Sequence, residues 1–211
     1  MNEKCCTRQD ILEASLDLFS TQGYEATSVA QIAEAVGIRK ASLYSHFASK
    51  QEILDSLIRV VLERYETHSI FANADWEDPD FAEAQADLTP DAAVQQVIGH
   101  IGYILHDPQV SRARKMLTIE QFRNPQMAAL QTKQNYTDVM RYFTGLMRTL
   151  IRRGELADGD PEILAAQFCL PISVWLNLCD REPEREAEVM QLIERHIRQF
   201  FSVNRPTVTE T

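Results

Sequence analysis

The sequence predicts an all-α protein in which a three-helix helix-turn-helix domain precedes a larger helical-bundle domain. Apolar residues recur at intervals of three and four along most of the 211 residues, which is the period of a helix face. Thr, Asp or Asn precedes proline four times, at Thr89, Asp107, Asn124 and Asp160. Such pairs mark helix starts, because the side chain caps the first turn. Proline is tolerated there, since the backbone N–H that it lacks would have no partner inside the helix.

The N-terminal elements follow from glycine and capping signals. We predict a first helix over 8–22 that ends at Gly23, and a second that begins after Thr27 or Ser28 and ends at Val36. Gly37 supplies the turn into a third helix, from Arg39 to His46 or Phe47. Two short helices joined by a glycine turn are typical of a helix-turn-helix.

The rest of the chain reads as longer helices. Ser49 and Glu52 predict a capping box, and apolar stripes then follow over 53–65, 94–105, 136–151, 161–178 and 183–203. Residues 69–88 are acidic and predict a loop. We therefore expect a helix-turn-helix domain over 1–50, a second helical domain over 51–203, and a polar tail over 204–211.

Composition excludes several classes of protein. The net charge is −10, and residues 1–66 hold seven Lys/Arg against ten Asp/Glu, so any nucleic-acid surface must be local. The N-terminus does not resemble a signal peptide, and the sequence predicts no membrane span, which favours a cytoplasmic location. Cys169 and Cys179 lie too far apart along one helix for a disulfide. We expect no metal and no cofactor.

A local surface of donors emerges once the apolar side chains are assigned to the core. With Ile32, Ile38, Leu43 and Phe47 turned inward, the third helix presents donors to solvent. Arg and Lys pair with guanine edges and Ala contacts a thymine methyl, whereas other donors and free helix amides bind phosphate. The predicted DNA-binding residues are Thr27, Ser28, Arg39, Lys40, Ala41, Ser42, Tyr44, His46 and Lys50.

The segment TSVAQIAEAVGIRKASLYSHFASKQEIL, residues 27–54, resembles the N-terminal signature of the TetR family of bacterial transcription regulators. The similarity covers about residues 8–55. It implies a homodimer that binds a palindromic operator and is released by a small-molecule effector. It also implies that Tyr44, His46 and Lys50 contact the DNA backbone, with residues 39–42 nearest the bases. Ser45 departs from the family, since many members carry an aromatic or basic residue there.

The second domain is expected to dimerise and to sense a ligand. Helices at about 161–179 and 183–203 carry more apolar surface than one small domain buries, which predicts a four-helix interface between two copies. A pocket between helices is the expected effector site. Its candidate lining residues, each of which also suits a plain core position, are Tyr103, Met116, Phe122, Tyr136, Met140, Phe143 and Trp175.

Three alternatives compete with this interpretation. An enzyme is disfavoured, because the sequence has no glycine-rich phosphate loop, no nucleophile elbow and no metal-ligand spacing. A helical adaptor that does not bind DNA would share the same fold. A thiol-responsive regulator would act through the adjacent Cys5 and Cys6.

Overall fold

The computed structural model describes residues 7–78, 83 and 89–206. Within this part of the chain the regular elements are helical and no strand occurs, which confirms the predicted all-α fold. The helices are α1 (Arg8–Gln22), α2 (Val29–Ala35), α3 (Lys40–Leu43), α4 (Lys50–His68), α5 (Pro90–His106), α6 (Pro108–Glu120), α7 (Pro125–Thr132), α8 (Asp138–Arg152), α9 (Pro161–Arg181) and α10 (Glu186–Val203). A π-helical turn, Lys133–Thr137, precedes α8, and a 3-10 turn, Pro183–Arg185, precedes α10.

Proline and its capping residue start several of these helices, as the sequence predicts. The Thr89 side chain accepts from Ala92 N, and the Asp160 carboxylate accepts from Glu162 N and Ile163 N. The Asn124 side chain likewise accepts from the first turn of α7. Each cap satisfies amides that have no partner inside their own helix.

The chain divides into two compact units and passes from one to the other three times. The first unit contains the described residues up to Ser69 together with Pro108–Thr132, and therefore α1–α4, α6 and α7. Its core combines side chains from α1–α4 with others from α6 and α7, such as Phe19, Ile32, Leu57, Met116 and Met127. The domain boundary at residues 50 and 51 stays a prediction.

The second unit contains the described residues of the range 70–107 and those from Lys133 onward, and therefore α5 and α8–α10. Its core includes Val94, Leu146, Phe168, Ile193 and Phe201. The sequence predicted the region around Trp76 as a loop, and the described residues 69–78 form turns. The Trp76 indole lies directly over Gly145, where an added Cβ would come within 2.3 Å of the ring. Gly145 therefore lets this segment pack on α8.

The described cysteines are structural. Cys169 and Cys179 are buried in the second unit and form no disulfide with each other, as their predicted separation requires. Burial raises the pKa of the Cys169 thiol to about 11, so almost none of it is thiolate at neutral pH. Cys5 and Cys6, on which the thiol-sensor alternative depends, lie outside the described residues, as do residues 207–211 of the predicted tail.

Two local predictions need correction. The third helix ends at Leu43 rather than at 46 or 47, because the Ser45 hydroxyl and the Ser45 amide both bond the Ser42 carbonyl and tighten the chain into a turn. At the start of α4, Ser49 accepts from Glu52 N, but the Glu52 carboxylate bonds Ala48 N instead of closing the box on Ser49.

Candidate nucleic-acid interface

The helix-turn-helix packs through a small apolar core. Of the side chains predicted to turn inward, Ile32, Leu43 and Phe47 are buried, and Ile38 is partly buried against the same core. Gly37 has a φ of 73°, the left-handed conformation that reverses the chain after α2 at little cost for glycine. This core fixes the orientation of α3 on α2.

The outer face of α3 is exposed and basic at its start. Arg39, Lys40, Ala41 and Ser42 are all exposed. No ion pair holds Arg39 or Lys40 among the residues that the structure describes, so both cations are available to a ligand. Tyr44 follows with 45% of its surface exposed. Exposure leaves all five residues accessible to a ligand, and their contact with DNA stays a prediction.

His46 is half-buried and is held by a residue that the sequence analysis missed. Arg8 Nη1 donates to the His46 carbonyl over 2.8 Å, and the Arg8 guanidinium stacks over the Phe47 ring at 3.9 Å. Arg8 also pairs with Glu52, and together with the Ala48 amide it lowers the pKa of the Glu52 carboxyl. No local pattern could reveal this contact, since 38 residues separate Arg8 from His46.

The Lys50 side chain, predicted to contact phosphate, already makes several contacts inside the protein. Its Nζ donates to the Tyr24 carbonyl at 2.7 Å and to the Thr27 carbonyl at 2.9 Å. It also lies 4.1 Å from the centroid of the Tyr24 ring, within cation–π range. An ammonium group has three N–H donors, so one remains for a ligand. Lys50 therefore ties α4 to the turn before α2.

The two predicted capping residues at the start of α2, Thr27 and Ser28, have different environments. Ser28 is exposed and caps the helix, since its hydroxyl accepts from Gln31 N while the Gln31 side chain accepts from Ser28 N. Thr27 is buried and its hydroxyl donates to the Gly23 carbonyl. The Thr27 amide donates to the Tyr24 carbonyl at 3.2 Å, and the predicted phosphate contact at Thr27 stays a prediction.

The seven candidate pocket residues do not form one group. Met140 and Phe143 lie in the core of the second unit, against which Trp175 packs, whereas Met116 belongs to the core of the first unit. Phe122 is 90% exposed, and Tyr103 and Tyr136 are also exposed. The sequence could not separate these positions, since methionine and aromatic residues at helical spacing suit a core and a pocket equally.

An aromatic cluster in the second unit was not predicted as a group. Tyr142 packs edge-on against Phe71, Trp76 and Phe143 at centroid distances between 5.2 and 5.5 Å. The His100 ring lies 5.2 Å from Phe71, and burial lowers the pKa of His100. At neutral pH this imidazole is therefore uncharged.

The described elements are helical, α2 and α3 pack through a buried core, and α3 has an exposed basic start. These features are those of a helix-turn-helix protein. Residues 11–57 match the family model described as bacterial regulatory proteins, tetR family. The match covers most of α1, all of α2 and α3, and the first part of α4, so the helix-turn-helix segment of this chain is similar to that of the family.

Two curated regulators are similar to this chain. The HTH-type transcriptional repressor KstR2 of Mycobacterium tuberculosis is 45% identical over 56 residues, which cover 26% of this chain and 28% of KstR2. This chain thus matches little more than a quarter of that relative. The HTH-type transcriptional regulator UidR of Escherichia coli K12 is 26% identical over 88% of each chain.

A solved structure shows the same fold. SmeT, the repressor of the Stenotrophomonas maltophilia multidrug efflux pump SmeDEF, superposes with a TM-score of 0.61 over 95% of this chain and 91% of its own. The two sequences are 19% identical, so the likeness concerns the fold. SmeT has also been solved in complex with triclosan, with a TM-score of 0.57 and similar coverage.

Proposed function

We propose that the protein is a transcriptional regulator, a repressor, which binds a palindromic operator as a homodimer and is released by a small-molecule effector. It acts in the cytoplasm by binding rather than by catalysis. The observation that carries this proposal is the exposed basic surface of α3 on a rigid helix-turn-helix core in a chain of net charge −10. KstR2 and SmeT are both named repressors, which supports the direction of regulation.

The proposed docking places α3 in the major groove. Arg39 and Lys40 stand at the N-terminal end of α3, the end that contacts base edges in helix-turn-helix proteins. Ala41 and Ser42 continue the same exposed face. Tyr44, His46, Ser28 and the remaining donor of Lys50 then lie where they can contact phosphates, which position the protein without reading sequence.

Replacing Tyr44 by alanine is expected to weaken binding to all duplexes by about tenfold or more, since a hydrogen bond to a charged phosphate is lost in each half-site. The measurement is a titration of variant and wild type against a selected duplex and an unrelated duplex. Tyr136→Ala removes an equally exposed tyrosine from the second unit and is the control. A loss confined to the selected duplex would contradict a phosphate role.

The dimer proposal rests on the unburied apolar face of α9. An 18-residue window of this helix has a mean hydropathy of 1.4, yet only 28% of the window is buried. Leu164, Ala165 and Phe168 face the core of the second unit, while Ile163 and Val174 are exposed. Length and composition alone would also suit a membrane span, but packing against that core favours a second copy. Together with α10 it would form a four-helix interface.

Replacing Val174 by glutamate is expected to convert the dimer to monomer, because a carboxylate would be buried without a partner at the two-fold interface. Light scattering should give about twice 24.1 kDa for wild type and 24.1 kDa for the variant. Val60→Glu, the same change at an exposed valine of α4, is the control. A wild-type monomer at micromolar concentration would reject the proposal.

The effector is proposed to bind the second unit. SmeT was solved with triclosan, a small molecule, and has the same fold. In this chain the cluster of Phe71, Trp76, His100, Tyr142 and Phe143 offers aromatic surface with uncharged polar groups at His100 and Tyr142. Release follows if the effector prefers a state that fits the operator poorly, because the two affinities are then linked.

A further inference from the structure

Tyr24 connects three elements of the first unit. It follows Gly23, in the turn between α1 and α2. Its backbone N–H donates to Glu120 Oε1 at 2.8 Å, and its carbonyl accepts from Lys50 Nζ at 2.7 Å. Its hydroxyl bonds Gln51 at 3.1 Å, and its ring packs edge-on against Phe19 with centroids 5.4 Å apart. Both backbone polar groups of this residue are thus held by side chains from distant parts of the chain.

Glu120 is placed for this contact. It is the last residue of α6, and only 3% of its surface is exposed. Burying a carboxyl group is costly unless it is hydrogen bonded, and an apolar residue would be the cheaper choice here if packing were the only demand. The bond from the Tyr24 amide gives Glu120 Oε1 a donor and gives that backbone N–H its acceptor.

Gly23 fits the same arrangement. Its φ is 84°, and a Cβ built on it would lie 3.0 Å from Glu120 Oε1 and 3.3 Å from Ile119 Cγ2. Glycine is therefore needed for the turn and for the close approach of α6.

We propose that Glu120 is a positioning residue for DNA binding, which fixes the Gly23–Tyr24 turn so that Tyr24 can hold Lys50 next to α2. This inference rests on the proposed DNA-binding function. Glu120 does not contact DNA. It acts through the Tyr24 backbone, whose carbonyl and ring orient the Lys50 ammonium group. The Lys50 ammonium group has three contacts here: the Tyr24 carbonyl, the Tyr24 ring and the Thr27 carbonyl. If the turn were displaced, the two contacts with Tyr24 would be lost.

A second contact between α6 and α1 provides a control. It distinguishes the effect of Glu120 on Tyr24 and Lys50 from the general packing of α6 against α1. Arg112 of α6 pairs with Glu13 at 3.0 Å and with Asp17 at 2.5 Å. These contacts lie on α1 itself and do not include Tyr24. Loss of Arg112 loosens α6 while leaving the bond between Glu120 and Tyr24 in place.

The experiment measures dissociation constants for a duplex that the wild-type full-length protein has enriched from a random pool. Glu120→Ala is expected to lower the affinity about tenfold, because it leaves the Tyr24 amide without its acceptor. Glu120→Gln keeps an acceptor oxygen and should stay within about threefold of wild type. Arg112→Ala should also stay within about threefold. All variants are compared at a temperature where circular dichroism shows them folded and light scattering shows the wild-type mass.

A double-mutant cycle tests the route through Lys50. If Glu120 acts on DNA by way of Tyr24 and Lys50, then Lys50→Ala should cost less in the Glu120→Ala background than in wild type. Additive losses would overturn the proposal, as would equal losses for Glu120→Ala and Arg112→Ala. A wild-type protein that enriches no duplex would instead refute the proposed function itself.

Amide exchange in the wild type keeps the inference testable if Glu120→Ala does not fold. The Tyr24 amide should exchange with solvent at least tenfold more slowly than the amides of Glu25 and Ala26, for which the described part of the structure gives no acceptor. Equal exchange at these three amides would show that the Glu120 bond does not hold the turn, and would overturn the proposal whatever the outcome of the DNA measurements.

Discussion

Replacing Arg39 and Lys40 together by alanine is expected to abolish sequence-specific DNA binding while the protein stays folded and dimeric. Each bidentate contact to a guanine contributes about 1–3 kcal/mol of discrimination, and a dimer makes each contact twice. Both side chains are exposed, so their removal costs little stability. The measurement compares affinities for a selected duplex and for an unrelated one.

The matched control for this pair is Arg59→Ala with Arg123→Ala. These two cations are also exposed in the first unit, so the control removes the same charge from the same unit. The control should lower affinity for both duplexes slightly and leave their ratio unchanged. If instead both double variants lowered the ratio equally, general electrostatics rather than α3 would account for binding.

Replacing Phe47 by alanine is expected to lower the free energy of unfolding by about 3–5 kcal/mol, the usual cost of removing a buried aromatic ring. The Phe47 ring is 1% exposed and packs in the core of the first unit, beneath the Arg8 guanidinium. Denaturant unfolding followed by circular dichroism measures the change.

Tyr44→Ala is the control for Phe47, because it removes an aromatic ring three residues earlier that is 45% exposed, against 1% for Phe47. It should change stability by less than about 1 kcal/mol. A similarly small loss of stability for Phe47→Ala would mean that the Phe47 ring does not anchor the turn after α3. The core would then not fix the orientation of Arg39 and Lys40.

Local signals were enough to predict most of the helices. Arg8–Gln22 begins and ends where the apolar stripe and Gly23 placed it, and Pro161 with its Asp160 cap starts α9 as predicted. Capping, glycine turns and helical periodicity act within a few residues, so one sequence displays them. The end of α3 was wrong because the Ser45 hydroxyl competes with helix continuation, a choice that propensity does not reveal.

The contacts of the candidate site were harder to predict. Glu120 lies 96 residues from Tyr24, and Arg8 lies 38 residues from His46, so neither pairing follows from spacing. The sequence likewise did not predict that Met116 shares a core with the helix-turn-helix rather than with Met140. Side chains of the same chemistry can fill either core, and only the packed chain decides between them.

The orientation of small polar residues also required the structure. Thr27 and Ser28 are neighbours with similar chemistry, yet one is buried on Gly23 and the other caps α2 from the surface. Lys50 was predicted as a phosphate contact, a role that stays a prediction. Its bonds to two backbone carbonyls add a structural role that charge alone did not indicate.

The measurement that tests the central claim most directly is selection of duplex DNA from a random pool by the wild-type protein, followed by a salt titration of the enriched sequence. The account predicts an inverted repeat whose half-sites lie about one helical turn, or a multiple of it, apart. It also predicts an affinity that falls steeply as salt rises. Enrichment of no sequence, or a complex indifferent to salt, would contradict DNA recognition by α3.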